Sequence, residues 1–265
     1  MQTYTLITGA SSGMGAVCAK KLSSTDNLIL ASENKTQLEK VRKECNYSDK
    51  HIIWCIDFAK ERCKIAESLA DLLKEKNISI DKYVHFAGIT KILPIKNFPI
   101  SYIDDIFNVN YFSIIEILRT LLKKSNNKAL KNIVLISALV SIRGNIGNSI
   151  YASSKGAINS LVYSLAQELA PDINVNAVLP GAIMTPMTQN LNEEYLEEMK
   201  KETPLGFGTM EDVVNYADQV VVMAQQHVLK TGTPAQIFSD PQWVTENQLS
   251  LPISAIMAQL LQQKY

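Results

Sequence analysis

The sequence predicts an α/β fold built on a doubly wound parallel sheet, and two patterns support this prediction. First, short apolar runs alternate with longer segments of helical period, which is the spacing of repeated βαβ units. Second, the apolar runs are continuous rather than alternating, as expected for strands that helices cover on both faces. The predicted strands are Tyr4–Thr8, Leu28–Ala31, Ile52–Ile56, Tyr83–Phe86, Ile133–Ser137 and Ile173–Leu179.

Length and composition fit one α/β domain with an appendage. The chain has 265 residues, 46% of them hydrophobic, and its 26 Lys and Arg balance 26 Asp and Glu. This balance favours neither nucleic acid nor an anionic membrane as a partner. The four cysteines lack metal-ligand spacing, no targeting signal opens the chain, and the longest apolar run, Ile133–Val140, is too short to cross a bilayer. We therefore expect a cytoplasmic protein with no metal site.

Two predicted helices carry polar residues that could belong to a site. The helix from about Ser101 to Ser125 has Asn110 inside its apolar stripe. A buried amide needs partners, so Asn110 is either a structural hydrogen-bonder or part of a site. A second helix begins near Asn148 and ends before Pro171, which cannot continue it.

This second helix places Tyr151 and Lys155 on one face. Residues four apart on a helix lie about 6 Å from each other. The Lys155 ammonium can therefore lower the pKa of the Tyr151 phenol and make it a general acid or base near neutral pH. The same spacing is common on solvated helix faces, so the pair alone leaves both interpretations open.

A glycine-rich segment follows the first predicted strand and opens the first helix. Gly9, Gly13 and Gly15 permit a tight turn and a close approach of backbone N–H groups to a pyrophosphate at a helix N-terminus. A simple turn between strand and helix is the alternative.

In this order, the motifs resemble those of the short-chain dehydrogenase/reductase family, of the 3-oxoacyl-carrier-protein-reductase-like type, over about residues 1–212. They are TGASSGMG at 8–15, Asp57 after the third strand, Ala87 and Gly88 after the fourth, Asn110, YASSK at 151–155, Asn176, and PGAIMT at 180–185. The resemblance implies a Rossmann-like fold and hydride transfer between a nicotinamide cofactor and a secondary alcohol or ketone, with a small carbonyl or hydroxyl compound as substrate.

The resemblance also assigns roles to residues of this sequence. Tyr151 would exchange the substrate proton, Lys155 would bind the nicotinamide ribose and lower the pKa of Tyr151, and Asn110 would hold a water in the proton relay. The implied cofactor site combines the glycine-rich turn, the adenine and ribose contacts, the Tyr/Lys pair and the carboxamide contacts. Its members are Gly9, Ser11, Ser12, Gly13, Met14, Gly15, Glu33, Asp57, Ala87, Gly88, Tyr151, Lys155, Pro180, Gly181, Ile183 and Thr185.

One departure concerns the reaction itself. Thirteen residues before its tyrosine, the family has a serine hydroxyl that polarises the substrate carbonyl, and here that position is Ala138. Ser137 would need a local bulge to replace it, because adjacent strand residues point to opposite faces. Losing one such donor costs about 2.7–4 kcal/mol of transition-state stabilisation. We therefore expect low activity or a different donor.

Two further departures affect the cofactor site. The family's paired asparagines before Ala-Gly are His85 and Phe86, which predicts altered packing and a structural rather than catalytic histidine. The second strand ends without the aspartate or arginine that would select a cofactor. Glu33 near that position would repel a 2′-phosphate, although Lys35 follows closely, so NAD(H) is predicted over NADP(H).

The C-terminal part departs from the family. Its usual last strand, T-G-x-x-x-x-V-D-G-G, is missing from the sequence. From about Asn215 the sequence resembles the C-terminal end of an energy-coupling-factor-type ABC transporter ATPase, without any phosphate-binding loop. Residues 1–212 are therefore predicted as a dinucleotide-binding reductase domain and 213–265 as an atypical tail, possibly a fusion segment. Valines at 220–222 favour a strand there; the alternative is a divergent reductase terminus with a helix over Glu211–Ala224.

Three hypotheses follow for the whole chain. The first is an oxidoreductase; the second is a non-catalytic dinucleotide-binding or sensing protein, motivated by Ala138; the third is a defunct chimera. The family commonly dimerises through the helices that here carry Asn110 and Tyr151 and forms tetramers through its last strand. Because that strand is replaced, we expect a homodimer.

Overall fold

The computed structural model describes residues 2–126, 128–189, 196–197, 200–201, 203 and 206–210, together with the backbone of 220–224 and 227–232. Six parallel strands form one sheet in the order β3-β2-β1-β4-β5-β6. The strands are β1 Gln2–Thr8, β2 Leu28–Ser32, β3 Ile52–Cys55, β4 Ile78–His85, β5 Asn132–Ile136 and β6 Asn174–Val178. The predicted fold class and strands are confirmed.

Helices cover both faces of this sheet. They are α1 Gly13–Leu22, α2 Lys35–Glu44, α3 Ile65–Lys76, α4 Ile100–Phe107, α5 Ser113–Leu121, α6 Val140–Arg143, α7 Ser149–Glu168 and α8 Pro186–Gln189. One core cluster joins the sheet to α3, α5 and α7, and a second joins it to α1 and α2. All five residues of β2 are buried, which explains why its apolar run is continuous.

The strand order reverses direction at β1. From β1 the chain proceeds to β2 and β3 on one side, and then crosses to β4, β5 and β6 on the other. In open α/β sheets this arrangement leaves a crevice at the carboxyl ends of the two central strands, where ligands bind. Here the crevice lies where β1 ends at Thr8 and β4 ends at His85.

The predicted helix over about 101–125 is observed as one helical stretch from Ile100 to Leu121, with one local departure. The structure interrupts it with a π-helical turn, Asn108–Phe112, between α4 and α5. Such turns are rare and occur frequently at functional sites, and Asn110 lies inside this one. The other predicted helix, from about Asn148, is confirmed as α7.

The tail contains an antiparallel hairpin in a sheet of its own. Its strands are β7 Val220–Ala224 and β8 His227–Gly232. The strand prediction for the valines is confirmed, and the alternative helix is wrong for 220–224. Residues 211–219, 225–226 and 233–265 lie outside the described residues, so the domain boundary and the possible fusion stay predictions. Within the described part of the chain, no helix is both long and apolar enough to cross a membrane.

Candidate active site

The glycine-rich turn lies directly against the end of β4. Gly9 has a φ of 66°, and a Cβ on it would lie 2.7 Å from the backbone N of Ala87. A Cβ on Gly15 would lie 2.3 Å from the carbonyl O of Gly9. Any larger side chain would push the strand ends and the helix apart, so these two glycines define the crevice at the reversal of strand order.

The N-terminus of α1 is open to a ligand. Its N-cap residue Ser12 makes no side-chain capping bond, and the first turn has no acidic residue. Gly13 has a φ of 55°, and the nearest atom to a Cβ there is Pro186 Cδ at 4.0 Å. This arrangement leaves unsatisfied N–H groups and the positive end of the helix dipole facing open space. The site therefore fits a pyrophosphate, as predicted for Ser12, Gly13 and Met14.

A chain of side-chain hydrogen bonds joins the glycine-rich turn to the end of β2. The hydroxyls of Ser11 and Ser32 lie 2.9 Å apart. The Ser32 hydroxyl also donates to Glu33 Oε2 at 3.0 Å. The Glu33 carboxylate is thereby held beside the turn that is predicted to carry the cofactor.

Asp57 lies in the segment that follows β3, next to β2 in the sheet, and it has a structural role of its own. Its Oδ1 accepts hydrogen bonds from the backbone N of Ala59 at 3.0 Å and of Lys60 at 3.1 Å. The carboxylate therefore stabilises the turn that follows the strand, and its predicted adenine contact would add to this function.

Tyr151 and Lys155 lie in the first two turns of α7, where the sequence predicted them. The Lys155 side chain is buried, and its Nζ donates to the carbonyl O of Ile136, at the end of β5, at 2.8 Å. The same Nζ lies 5.8 Å from the centre of the Tyr151 ring. The helix thus brings the phenol and the ammonium together at the carboxyl edge of the sheet.

Burial controls the ionisation of this pair. It lowers the pKa of Lys155 to about 8 and raises the pKa of Tyr151 to about 12, because the low-polarity surroundings disfavour each charged form. The expected lowering of the Tyr151 pKa is therefore wrong for this structure, because burial raises that pKa. The ammonium makes its hydrogen bond to Ile136 rather than to the phenol.

Asn110 acts as a clamp between two segments of the site. Its Oδ1 accepts from the backbone N of Ile89 at 2.8 Å, and its Nδ2 donates to the carbonyl O of Ile89 at 3.1 Å. Nδ2 also donates to Ser154 Oγ at 2.9 Å. Both amide hydrogens are thus used within the protein, which favours the structural alternative for this side chain over the predicted water-holding role.

Gly88, which follows the end of β4, lies close to Lys155 and Asn110. A Cβ on Gly88 would lie 3.3 Å from Lys155 Nζ and 3.5 Å from Asn110 Oδ1. The predicted Ala87–Gly88 backbone path therefore passes directly beside Lys155.

The sequence did not predict the buried polar cluster behind Ala87. The Thr8 hydroxyl contacts His85 Nδ1 at 2.8 Å and accepts from the backbone N of Ala87 at 3.3 Å, and Tyr83 Oη lies 2.8 Å from the same His85 nitrogen. Burial lowers the pKa of His85 to about 3, so the imidazole is neutral and structural, as expected. Phe86 packs against the core cluster on the α1 and α2 side.

The hydroxyls that flank Ala138 are both engaged elsewhere. Ser137 Oγ donates to the carbonyl O of Lys155 at 3.0 Å. Ser141 Oγ donates to the carbonyl O of Ala138 at 2.6 Å and accepts from Asn159 Nδ2 at 2.8 Å. In this arrangement each serine directs its proton to a backbone carbonyl.

The last predicted segment, residues 180–185, follows the end of β6. The carbonyl O of Pro180 accepts from the backbone N of Leu139 at 2.9 Å, and a Cβ on Gly181 would lie 3.9 Å from Leu139 Cδ2. Ile183 pairs with Gly208. The segment ends at Thr185, which is buried. The next residue is Pro186, the first residue of α8 and the one nearest to Gly13.

Together, the strand reversal, the open helix N-terminus and the Tyr/Lys pair define a dinucleotide-binding α/β protein with proton-transfer chemistry. Residues 3–196 match the model of the short chain dehydrogenase family. The chain is 33% identical to the 3-oxoacyl-[acyl-carrier-protein] reductase FabG of Rickettsia typhi, over 84% of this chain and 89% of the relative. It is 30% identical to the enzyme of the same name from Aquifex aeolicus, over 79% and 86%.

A solved structure shares the fold. It is described as a short-chain dehydrogenase/reductase, glucose/ribitol dehydrogenase, from Brucella melitensis; it is 27% identical and has a TM-score of 0.70 over 81% of this chain and 86% of that one. The chain belongs to the short-chain dehydrogenase family. It is a nicotinamide-dependent oxidoreductase that acts on hydroxyl or keto groups.

Proposed function

We propose that this protein interconverts a ketone and a secondary alcohol, with Tyr151 as general acid or base and Lys155 beside it. The observation that carries the proposal is the position of Lys155. Its ammonium is buried at the crevice, between the Tyr151 ring and the backbone of Gly88.

The cofactor would lie across the carboxyl edge of the sheet. The open N-terminus of α1 would bind its pyrophosphate, Gly88 and Lys155 would adjoin the nicotinamide ribose, and Thr185 would contact the carboxamide. When bound, the nicotinamide group supplies or accepts the hydride.

The protein's own residues handle the proton. In the direction of reduction, the Tyr151 hydroxyl donates its proton to the carbonyl oxygen. Burial raises the Tyr151 pKa to about 12, so this hydroxyl is protonated at neutral pH and is a weaker acid than an exposed phenol. The nearby Lys155 ammonium then stabilises the phenolate left behind.

For the cofactor, NAD(H) is favoured over NADP(H). The Ser11–Ser32–Glu33 hydrogen-bond chain holds a carboxylate beside the predicted ribose position. A carboxylate accepts hydrogen bonds from ribose hydroxyls and repels a 2′-phosphate. The phosphate-pairing alternative, Lys35, is exposed at the start of α2.

A non-catalytic dinucleotide-binding protein is the second candidate, and Ala138 is the observation that favours it.

The experiment is a melting assay with each cofactor, followed by a turnover assay on a panel of ketones. The panel includes 3-oxoacyl thioesters, the substrate class that the curated relatives' names suggest. We expect stabilisation by NADH and turnover with it. Stabilisation without any turnover would favour the second candidate, and a tenfold preference for NADPH would contradict the NAD(H) assignment.

We also propose a homodimer formed through α7 and the helical stretch from α4 to α5, which carries Asn110. Both helices present large apolar side chains to solvent: Ile100 is 74% exposed and Tyr163 is 72% exposed. Burying such side chains against a second copy would be favourable.

A further inference from the structure

The two walls of the crevice meet at Thr8, the last residue of β1. Its carbonyl O accepts from the backbone N of Phe86 at 3.2 Å, and its hydroxyl accepts from the backbone N of Ala87 at 3.3 Å. The next residue is Gly9, where a Cβ would lie 2.7 Å from the same Ala87 nitrogen. Thr8 therefore fixes the spacing between the glycine-rich turn and the backbone of Ala87 and Gly88.

His85 lies against the Thr8 hydroxyl. Thr8 Oγ1 and His85 Nδ1 are 2.8 Å apart, and both side chains are fully buried. Burial lowers the His85 pKa to about 3, so the imidazole is neutral. In the tautomer with its proton on Nε2, Nδ1 accepts a hydrogen bond. Because the Thr8 oxygen accepts from Ala87, its one proton is available for Nδ1, and this bond directs the oxygen's lone pairs towards Ala87.

Tyr83 holds the imidazole in this position. Its Oη lies 2.8 Å from the same His85 nitrogen, and its side chain is also fully buried. If the ring turned away, the buried hydroxyls of Thr8 and Tyr83 would both lose this partner, which is costly. The side chain of His85 is therefore held where it orients the Thr8 hydroxyl.

A second buried polar side chain bonds β4 near its opposite end. Asn126 Oδ1 accepts from the backbone N of Ile80 at 2.6 Å, and its Nδ2 donates to the carbonyl O of Ile80 at 2.8 Å. Both contacts stabilise the strand, but the contact of His85 with Thr8 lies at the carboxyl end, where open α/β sheets bind ligands. Comparing the two therefore separates an effect on the cofactor site from an effect on stability.

We propose that His85 is a positioning residue that orients the Thr8 hydroxyl and so holds Ala87 and Gly88 at the distance from the glycine-rich turn that the dinucleotide needs. It acts through Thr8 and Ala87 on cofactor affinity, and it takes no part in hydride or proton transfer. This inference rests on the proposed dinucleotide site.

Two substitutions of His85 separate its hydrogen bond from its packing. His85→Leu removes the acceptor and keeps a side chain of similar volume. The Kd for NADH should rise about tenfold, which corresponds to about 1.4 kcal/mol, with kcat at saturating NADH within about threefold of wild type. His85→Asn, the residue that the family has here, loses the ring but keeps an acceptor on Cγ. It should melt at a lower temperature than wild type and still bind NADH within about threefold of the wild-type Kd.

The matched control is Asn126→Leu. It removes both bonds to Ile80, so it should lower the melting temperature and leave the Kd for NADH within about threefold of wild type. A purely structural role of His85 would instead make affinity follow melting temperature across all three variants.

Thr8 tests the same contact from its other side and carries the test if His85→Leu does not fold. Thr8→Val should raise the Kd for NADH about tenfold or more, whereas Thr8→Ser keeps the hydroxyl and should bind within about threefold of wild type. The double variant Thr8→Val/His85→Leu should bind no more weakly than Thr8→Val alone, because both changes remove one contact.

Three results would overturn the inference: a His85→Leu Kd within threefold of wild type, an equal weakening by His85→Asn, or an equal weakening by Asn126→Leu. If wild type binds NADH and reduces ketones in such a case, the proposed function stands. If wild type binds neither NADH nor NADPH, the proposed function fails together with the inference.

Discussion

Burial changes the ionisation of two residues of the site. It raises the pKa of Tyr151 to about 12 and lowers that of Lys155 to about 8. The phenol therefore keeps its proton until a reaction removes it, while the ammonium keeps most of its charge at neutral pH. The charge of Lys155 has a cost in stability, because the folded protein disfavours it.

This cost predicts a specific dependence of stability on pH. The Lys155 pKa is about 8 in the folded protein, compared with 10.5 for an unperturbed lysine. Between these values the unfolded chain binds more protons than the folded one, so stability rises with pH. The burial penalty is complete below about pH 8 and disappears as pH approaches 10.5. Relative to Lys155→Met, wild type should gain about 2 kcal/mol between about pH 7.5 and pH 9.5.

Chemical denaturation of both proteins at a series of pH values measures this difference. The variant lacks the hydrogen bond to Ile136 at every pH. Its loss therefore lowers the free energy of unfolding by a constant amount and does not change how the difference between the two proteins depends on pH. Parallel pH profiles for the two proteins would contradict the buried, high-cost ammonium.

At this scale the sequence predicted which residues meet but not their ionisation. Tyr151 and Lys155 are four apart, so helix geometry alone brings them together. Their pKa shifts depend on how much of the sheet and the neighbouring segments covers them, which no local pattern encodes.

At the scale of elements, the π-helical turn between α4 and α5 is the main departure from prediction. The apolar stripe on both sides of it is helical, so the sequence alone indicated one helix. The turn places Asn110 where it bonds Ile89, 21 residues earlier in the chain. A contact with a distant segment therefore explains the local geometry, and sequence periodicity could not predict it.

Removing this clamp should affect both stability and catalysis. Asn110→Leu leaves the N–H and C=O of Ile89 without partners, at a cost of about 1–3 kcal/mol each. Because Ile89 follows Gly88, which adjoins Lys155, kcat should fall as well. Denaturation and ketone turnover measure the two effects.

The same turn supplies a matched control. The Asn108 side chain donates a hydrogen bond from Nδ2 to the carbonyl O of Ala59 at 3.2 Å. Asn108→Ala should cost about 1 kcal/mol and leave turnover unchanged. Equal effects of the two substitutions would contradict a special role for Asn110.

At the scale of the whole molecule, the sequence predicted the sheet well because its signals are repeated. Each buried strand is a continuous apolar run, and each crossover is a helical segment, so errors at one element do not change the fold class. The tail is different. The valines at 220–222 predicted its first strand. The family resemblance does not extend to this part of the chain, so the domain boundary and the possible fusion stay predictions.

The assembly can be tested by disrupting the proposed interface. Tyr163→Glu places a charge on the exposed face of α7 and should convert a dimer to a monomer in sedimentation velocity. Tyr47→Glu changes another exposed tyrosine, near the end of α2, and should remain a dimer. A clean tetramer, or a wild-type monomer, would contradict the dimer proposal.

The central claim is that the Tyr151 hydroxyl transfers the substrate proton, and Tyr151→Phe tests it most directly. The measurement is kcat for reduction of a ketone, together with the affinity for NADH, with Tyr163→Phe on the same helix as control. The account predicts a loss of about 10²–10⁴-fold in kcat with cofactor affinity unchanged, and no effect of the control. Turnover by Tyr151→Phe within threefold of wild type would contradict it.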